Sequence, residues 1–144
     1  MRSPYDINVG DVASLTQNVP GAGSEPTFTN DKFGRCRLLY ISCRLVTDAN
    51  AGNRHIRITL ARPVVPFTVG ISTLIIPAST SVHCMAAHGM QGQETLSALH
   101  LHIPIPLILI IEPADVLTFE VDGIQAGDAF SLIENDVLVF PRSI

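Results

Sequence analysis

The chain has 144 residues, of which 47% are hydrophobic and only 15% charged. This length fits one domain with a core of its own, and this balance excludes intrinsic disorder over most of the chain. The longest apolar run, Leu107 to Ile111, is bounded by Pro104, Pro106 and Pro113, far short of the ~20 residues a membrane helix needs.

No basic start leads into an apolar run, so neither a signal peptide nor a membrane partner is expected. Residues 1–62 carry eight Lys/Arg against five Asp/Glu, and residues 63–144 carry Arg142 alone against eight acids. The balances of +3 and −7 sum to the net −4. A sequence pI of 5.6 argues against a nucleic-acid partner, which would need a basic face. Lys32 is the only lysine, and arginine without lysine suits protein–protein contact. Three cysteines, Cys36, Cys43 and Cys84, give an odd count without CxxC spacing, against both a disulfide framework and a structural zinc site. They read as buried free thiols. Cys36 and Cys43 are an odd number of residues apart on one predicted strand, which places them on opposite faces.

Residues 1–30 read as an extended N-terminal arm and residues 31–144 as a β-sandwich domain. The arm is rich in Gly, Pro, Ser, Thr, Asn and Asp and carries separated apolar residues, among them Tyr5, Ile7, Val9, Val12 and Leu15. At about 3.3 Å per residue, Pro4 to Asn18 could cross roughly 50 Å. The expectation is that this arm packs on a neighbouring subunit through those five residues. PGAGSEP, residues 20–26, closes it as a turn or linker.

From Arg35 onward the hydrophobic period is two. Ile56, Ile58 and Leu60 alternate with His55, Arg57 and Thr59; Leu99, Leu101 and Ile103 alternate with Ala98, His100 and His102; Leu117, Phe119 and Val121 alternate with polar partners. These are half-buried strands. Denser apolar runs at 35–47 and 129–140 predict strands covered on both sides. Turn signals fall at 48–53, 61–66, 88–93, 112–115 and 122–128. No stretch of ten or more residues holds a 3.6-residue stripe. Seven or eight short strands predict an all-β, antiparallel β-sandwich of the jelly-roll kind. Sheets with this little charge need edge protection or partners, which points to a homo-oligomer.

His100-x-His102 is the most enzyme-like feature, because residues two apart on a strand share a face and could reach one metal. A cupin-like metalloenzyme would add a glutamate four or five residues on and a later histidine. Here the next acid is Glu112, and no histidine follows His102. His83 and His88 lie upstream with no spacing that pairs them to it. No GxSxG elbow and no phosphate-binding GxxxxGK[ST] occur. The reading is therefore no catalytic residue, no cofactor and no metal ligand.

Two segments, CRLVTDANAGNRHIRITL (43–60) and DGIQAGDAFSLI (122–133), resemble paired segments of small β-rich virion proteins of tailed bacteriophages. The resemblance runs from about residue 26 to residue 140, with IPIPLILIIEP (103–113) between the two motifs. It implies a non-enzymatic capsid decoration protein, a homotrimer on the capsid exterior that binds the major capsid protein and stabilises the head after synthesis in the host cytoplasm. A head-fibre or tail-associated receptor-binding module is the alternative. Arg54 and Arg57 join the arm residues as expected interface positions. Asp48, Asn53 and Asp128 also have a local explanation, because Asp and Asn side chains hydrogen-bond their own backbone in turns.

Overall fold

The computed structural model describes residues 10–63, 65–89, 100–105 and 108–141, with the backbone alone of 93–95. The described residues form twelve strands: β1 (Asp11–Ala13), β2 (Thr16–Gln17), β3 (Thr27–Thr29), β4 (Cys36–Val46), β5 (His55–Arg62), β6 (Val65–Ile71), β7 (Ser81–His88), β8 (Gln93–Thr95), β9 (His100–Ile105), β10 (Ile110–Ile111), β11 (Val116–Asp122) and β12 (Ala129–Val139). They make an all-β sandwich. One sheet runs β1-β12-β4-β7-β9-β8 with β10 also on β4, and the other runs β2-β3-β11-β5-β6. Pairing is antiparallel except between β7 and β9, which run parallel. The purely antiparallel expectation fails there, where His83 to His88 run beside His100 to Ile105 in the same direction.

Alternation builds the core as expected. Ile56, Ile58 and Leu60 of β5 meet Leu117, Phe119 and Val121 of β11 in register, and all six are buried against the facing sheet. Phe28 and Phe119 pack edge to face, with centroids 6.2 Å apart, an arrangement aromatic quadrupoles favour. The long strands β4 and β12 differ from their expectation. Their outward residues, Arg37, Ser42 and Arg44 among them, are only half-buried, so neither strand is covered on both sides.

These two strands also carry compensating bulges. Between Ser131 and Glu134, β12 takes one residue more than β4, and near Leu39 β4 takes one more than β12. The extra residue in β4 shifts its side-chain phase. Cys36 and Leu38 point inward before it, and Ile41, Cys43 and Leu45 after it, all buried. Cys36 and Cys43 therefore share the core face instead of lying on opposite faces. All three cysteines are free and buried, as their count suggested, and burial pushes the Cys36 thiol up to about 11.

Residues 10–30 do not leave the sandwich, which corrects the boundary drawn at residue 30. β1 pairs with β12 in one sheet, β2 pairs with β3 in the other, and β3 pairs with β11. At the crossing, Leu15 is 3% exposed and its backbone is held by one side chain. The buried Asn135 accepts from Leu15 N (2.6 Å) and donates to Leu15 O (3.2 Å). The amide thus replaces a strand neighbour where the chain changes sheets, and it satisfies both peptide groups out of water. An apolar side chain with its peptide paired on its own domain has no reason to seek a neighbour. Tyr5, Ile7 and Val9 lie outside the described residues.

Leu15→Ala is expected to cost about 2–5 kcal/mol in urea unfolding, from the transfer and cavity terms together. Deleting residues 1–17, which removes β1, β2 and Leu15, should cost more. Equal unfolding midpoints for the truncated and full chains would show that this segment adds nothing to the core.

Candidate functional site

The two segments that carry the resemblance meet at one end of the sandwich. The loop after β4 leads into β5, and the turn after β11 leads into β12. Both connections cross between the sheets, side by side, because β4 neighbours β12 and β5 neighbours β11. Arg54 lies between them with its side chain wholly buried. Its Nε donates to Asp128 Oδ2 (3.0 Å), and its Nη2 donates to Asp128 Oδ1 (2.9 Å) and to Asp48 Oδ1 (2.8 Å). Its Nη1 donates to the carbonyls of Asn50 (3.1 Å) and Gly52 (2.8 Å). Five bonds match the five donors of a guanidinium, and the fork on Asp128 is the bidentate geometry arginine favours.

The acids are equally well satisfied. Besides Arg54, Asp128 accepts from Asp48 N and Gln125 N, each at 2.9 Å. Asp48 accepts from Asn50 N (3.0 Å) and, across the gap, from Gly127 N (2.9 Å). Each aspartate therefore caps its own loop and reaches into the other. Gly127 is required here, because a Cβ would stand 2.6 Å from Asp48 Oδ2. Desolvation alone would raise the Asp128 carboxyl; the Arg54 guanidinium and the two backbone N–H groups outweigh it and hold the carboxyl below its ordinary value. Asp48 is lowered likewise, with desolvation opposed by donors from Asn50 and Gly127. Arg54 is raised, first by its hydrogen bond to Asp128. A carboxylate with its lone pairs occupied by four donors has none to spare for a substrate, so this constellation is a clasp rather than acid–base machinery.

Arg54 therefore does not sit on an interface, contrary to expectation. The sequence did hold a signal for this. Arg54 has the same parity as Ile56, Ile58 and Leu60, the buried face of β5, and an inward arginine needs acids. The turn chemistry expected of Asp48 and Asp128 is present, but the 74-residue link to Arg54 is not local and had no pattern to reveal it. Arg57, of opposite parity, faces out and donates to Glu120 and Asp122 on β11. Val12 is 64% exposed on β1, an edge strand, whereas Leu15 belongs to the core.

Two surface features were not legible. On the outer face of the larger sheet, β9 places His100 beside His83 of β7 in register, with His102 beside Met85. The ring centroids of His83 and His100 are 5.8 Å apart, and those of His100 and His102 are 6.2 Å apart. They border a hollow of about 420 Å³ that Ser42, Leu132 and Glu134 also line. The second feature is β6, the edge of the smaller sheet, which occupies part of a segment read as a break. Val65, Phe67 and Ile71, with Ile75 just beyond, stand 44–64% exposed.

The clasp makes stability depend on acid. Both aspartates have folded-state values below their unfolded ones, so their contribution is fully present above the unfolded value of about 3.9 and is lost as pH falls through the lowered folded values. Urea midpoints measured from pH 6 to pH 2.5 should be level at the top and fall below about pH 4. Asp128→Asn should lower the midpoint at pH 6 and flatten that acid limb. An acid limb of unchanged steepness in this variant would show that Asp128 is not a source of it.

Comparison of the chain with protein-family models, with curated proteins and with solved structures finds no match.

Proposed function

We propose that the protein is a non-enzymatic virion structural protein, a capsid decoration protein that assembles with copies of itself and binds the major capsid protein. The single observation that carries this reading is the β6 edge. From Val65 to Ile71 the strand has no charged residue, although charge is one device by which free edges avoid association. Its two interruptions are Pro66, which has no N–H to offer, and a bulge at Val69 opposite Ile58 and Thr59. These disfavour continuous strand addition. Contact through the exposed side chains of Val65, Phe67, Ile71 and Ile75 suits such a surface better. Exposed apolar groups on a chain with few charges are best accounted for by a partner.

The motif resemblance supplies the kind of partner. In this reading the sandwich is of the jelly-roll kind and its assembly is a trimer on the head. The Arg54 clasp contributes by stiffening one end of the domain, so that the contact surface is held in shape before binding. Decoration of this sort acts by area. Each 100 Å² of apolar surface removed from water contributes about 2.5 kcal/mol before ordering costs.

Sedimentation velocity at micromolar concentration should give a species of three chains. Phe67→Asp, at a side chain 46% exposed, should shift it towards monomer while its circular dichroism spectrum stays that of the parent. The same variant should co-sediment more weakly with empty heads of the phage. A monomeric parent that also fails to co-sediment with heads would overturn the reading.

A further inference from the structure

We propose that His83, His100 and His102 form a binding site for a single first-row transition-metal dication, with Zn²⁺ as the reference ion. The sequence offered only a pair two residues apart. The fold supplies the third member, because β7 and β9 are parallel neighbours and put His83 directly beside His100.

Elementary sheet geometry makes the set workable. Adjacent strands lie about 4.8 Å apart and alternate residues about 6.6 Å apart along a strand, so the three Cα atoms mark a right triangle with a hypotenuse of about 8 Å. A point above its midpoint is equidistant from all three. All three belong to the outward set, since their neighbours Val82, Cys84, Leu101 and Ile103 are buried. With Zn–N bonds of about 2.0–2.1 Å, two imidazoles on one tetrahedral ion have ring centroids roughly 5 Å apart. The present 5.8 and 6.2 Å are within about an ångström of that.

As placed, no three His, Cys, Asp or Glu side chains among the described residues converge on a point. Binding therefore requires the rings to turn inward. His83 and His100 are exposed and His102 half-buried, so the rings can turn without entering the core. The hollow they border leaves space above the sheet for the ion and a water. Three imidazoles and an open fourth position are a donor set that suits Zn²⁺, Ni²⁺ and Cu²⁺ and not the oxygen-seeking Mg²⁺ or Ca²⁺. The proposal stands apart from the capsid reading and does not need it.

Isothermal titration of the full chain with ZnCl₂ and NiCl₂, and with MgCl₂ as the control ion, tests it. One equivalent of Zn²⁺ per chain should bind, with no heat from MgCl₂. His83→Ala, His100→Ala and His102→Ala should each weaken binding at least about tenfold, since loss even of an outer-shell partner costs 10–100-fold. His88→Ala should leave it unchanged. The visible spectrum of the Co²⁺-loaded chain should show four-coordinate bands that His83→Ala removes. Because these side chains lie outside the core, circular dichroism should show all four variants folded. Absence of saturable binding would overturn the site, as would one ion per two or more chains. Binding that His83→Ala leaves as tight would also overturn it, because the His100–His102 pair would then act alone.

Discussion

A fully buried guanidinium fixes one end of this sandwich. Arg54 carries a charge that cannot be left in a core without partners, since an uncompensated buried ion costs several kcal/mol. The chain meets that demand with two carboxylates and two carbonyls drawn from both connections that cross between the sheets. The backbone of Arg54 is committed as well, exchanging N–H···O bonds with Ile76 at 3.1 and 2.9 Å. The five donors hold loop 48–53 and turn 123–128 in one arrangement, and the backbone of Arg54 ties in the approach to β7. β5 and β12 both begin directly beside this clasp, at His55 and Ala129. A pair of apolar residues of similar volume could fill the same space with comparable stability. What the ion pair adds is direction, because a guanidinium with five satisfied donors permits one placement of the loops around it.

Much of the fold was legible because period two is a strong signal. The strands around Ile56–Leu60, Leu101–Ile103 and Leu117–Val121 are where alternation put them, and the turn signals at 48–53 and 122–128 mark real corners. The failures share a cause. An extra residue near Leu39 breaks the phase of β4, so Cys36 and Cys43 share the core face although their odd spacing predicts opposite faces. Residues 1–30 read as an arm because their apolar residues are sparse. Yet one Leu15, with Asn135 holding its peptide, is enough to keep a crossing segment at home. The parallel β7–β9 pair depends on a connection with no local pattern, and it is this pair that gathers the three histidines.

The site was legible in its parts and not in its assembly. Asp48 and Asp128 were recognisable as turn-formers, and both do cap their own loops. Arg54 shares its segment with the outward Arg57, but its parity is that of the buried Ile56, Ile58 and Leu60. Attention to parity at charged positions, and not only at apolar ones, separates the two. Moving Arg54 inward changes what the surface offers a partner. The cationic element of the expected contact face is reduced to Arg57, itself engaged by Glu120 and Asp122, and the weight shifts to the uncharged β6 edge. Segments 43–60 and 122–133 thus meet in this chain around a buried clasp, and of the two arginines in the first only Arg57 faces outward.

The claim that the clasp holds the end of the sandwich is tested most directly by a double-mutant cycle on Arg54 and Asp128. Urea unfolding at pH 7 would be compared for Arg54→Met, Asp128→Leu and the double variant. Each single change should cost about 3–5 kcal/mol by leaving a buried charge without its partner. The double variant should cost less than the sum of the two by at least about 2 kcal/mol. Single costs that add to within about 0.5 kcal/mol would mean that the two side chains act independently, and the account of this fold as organised around Arg54 would be wrong.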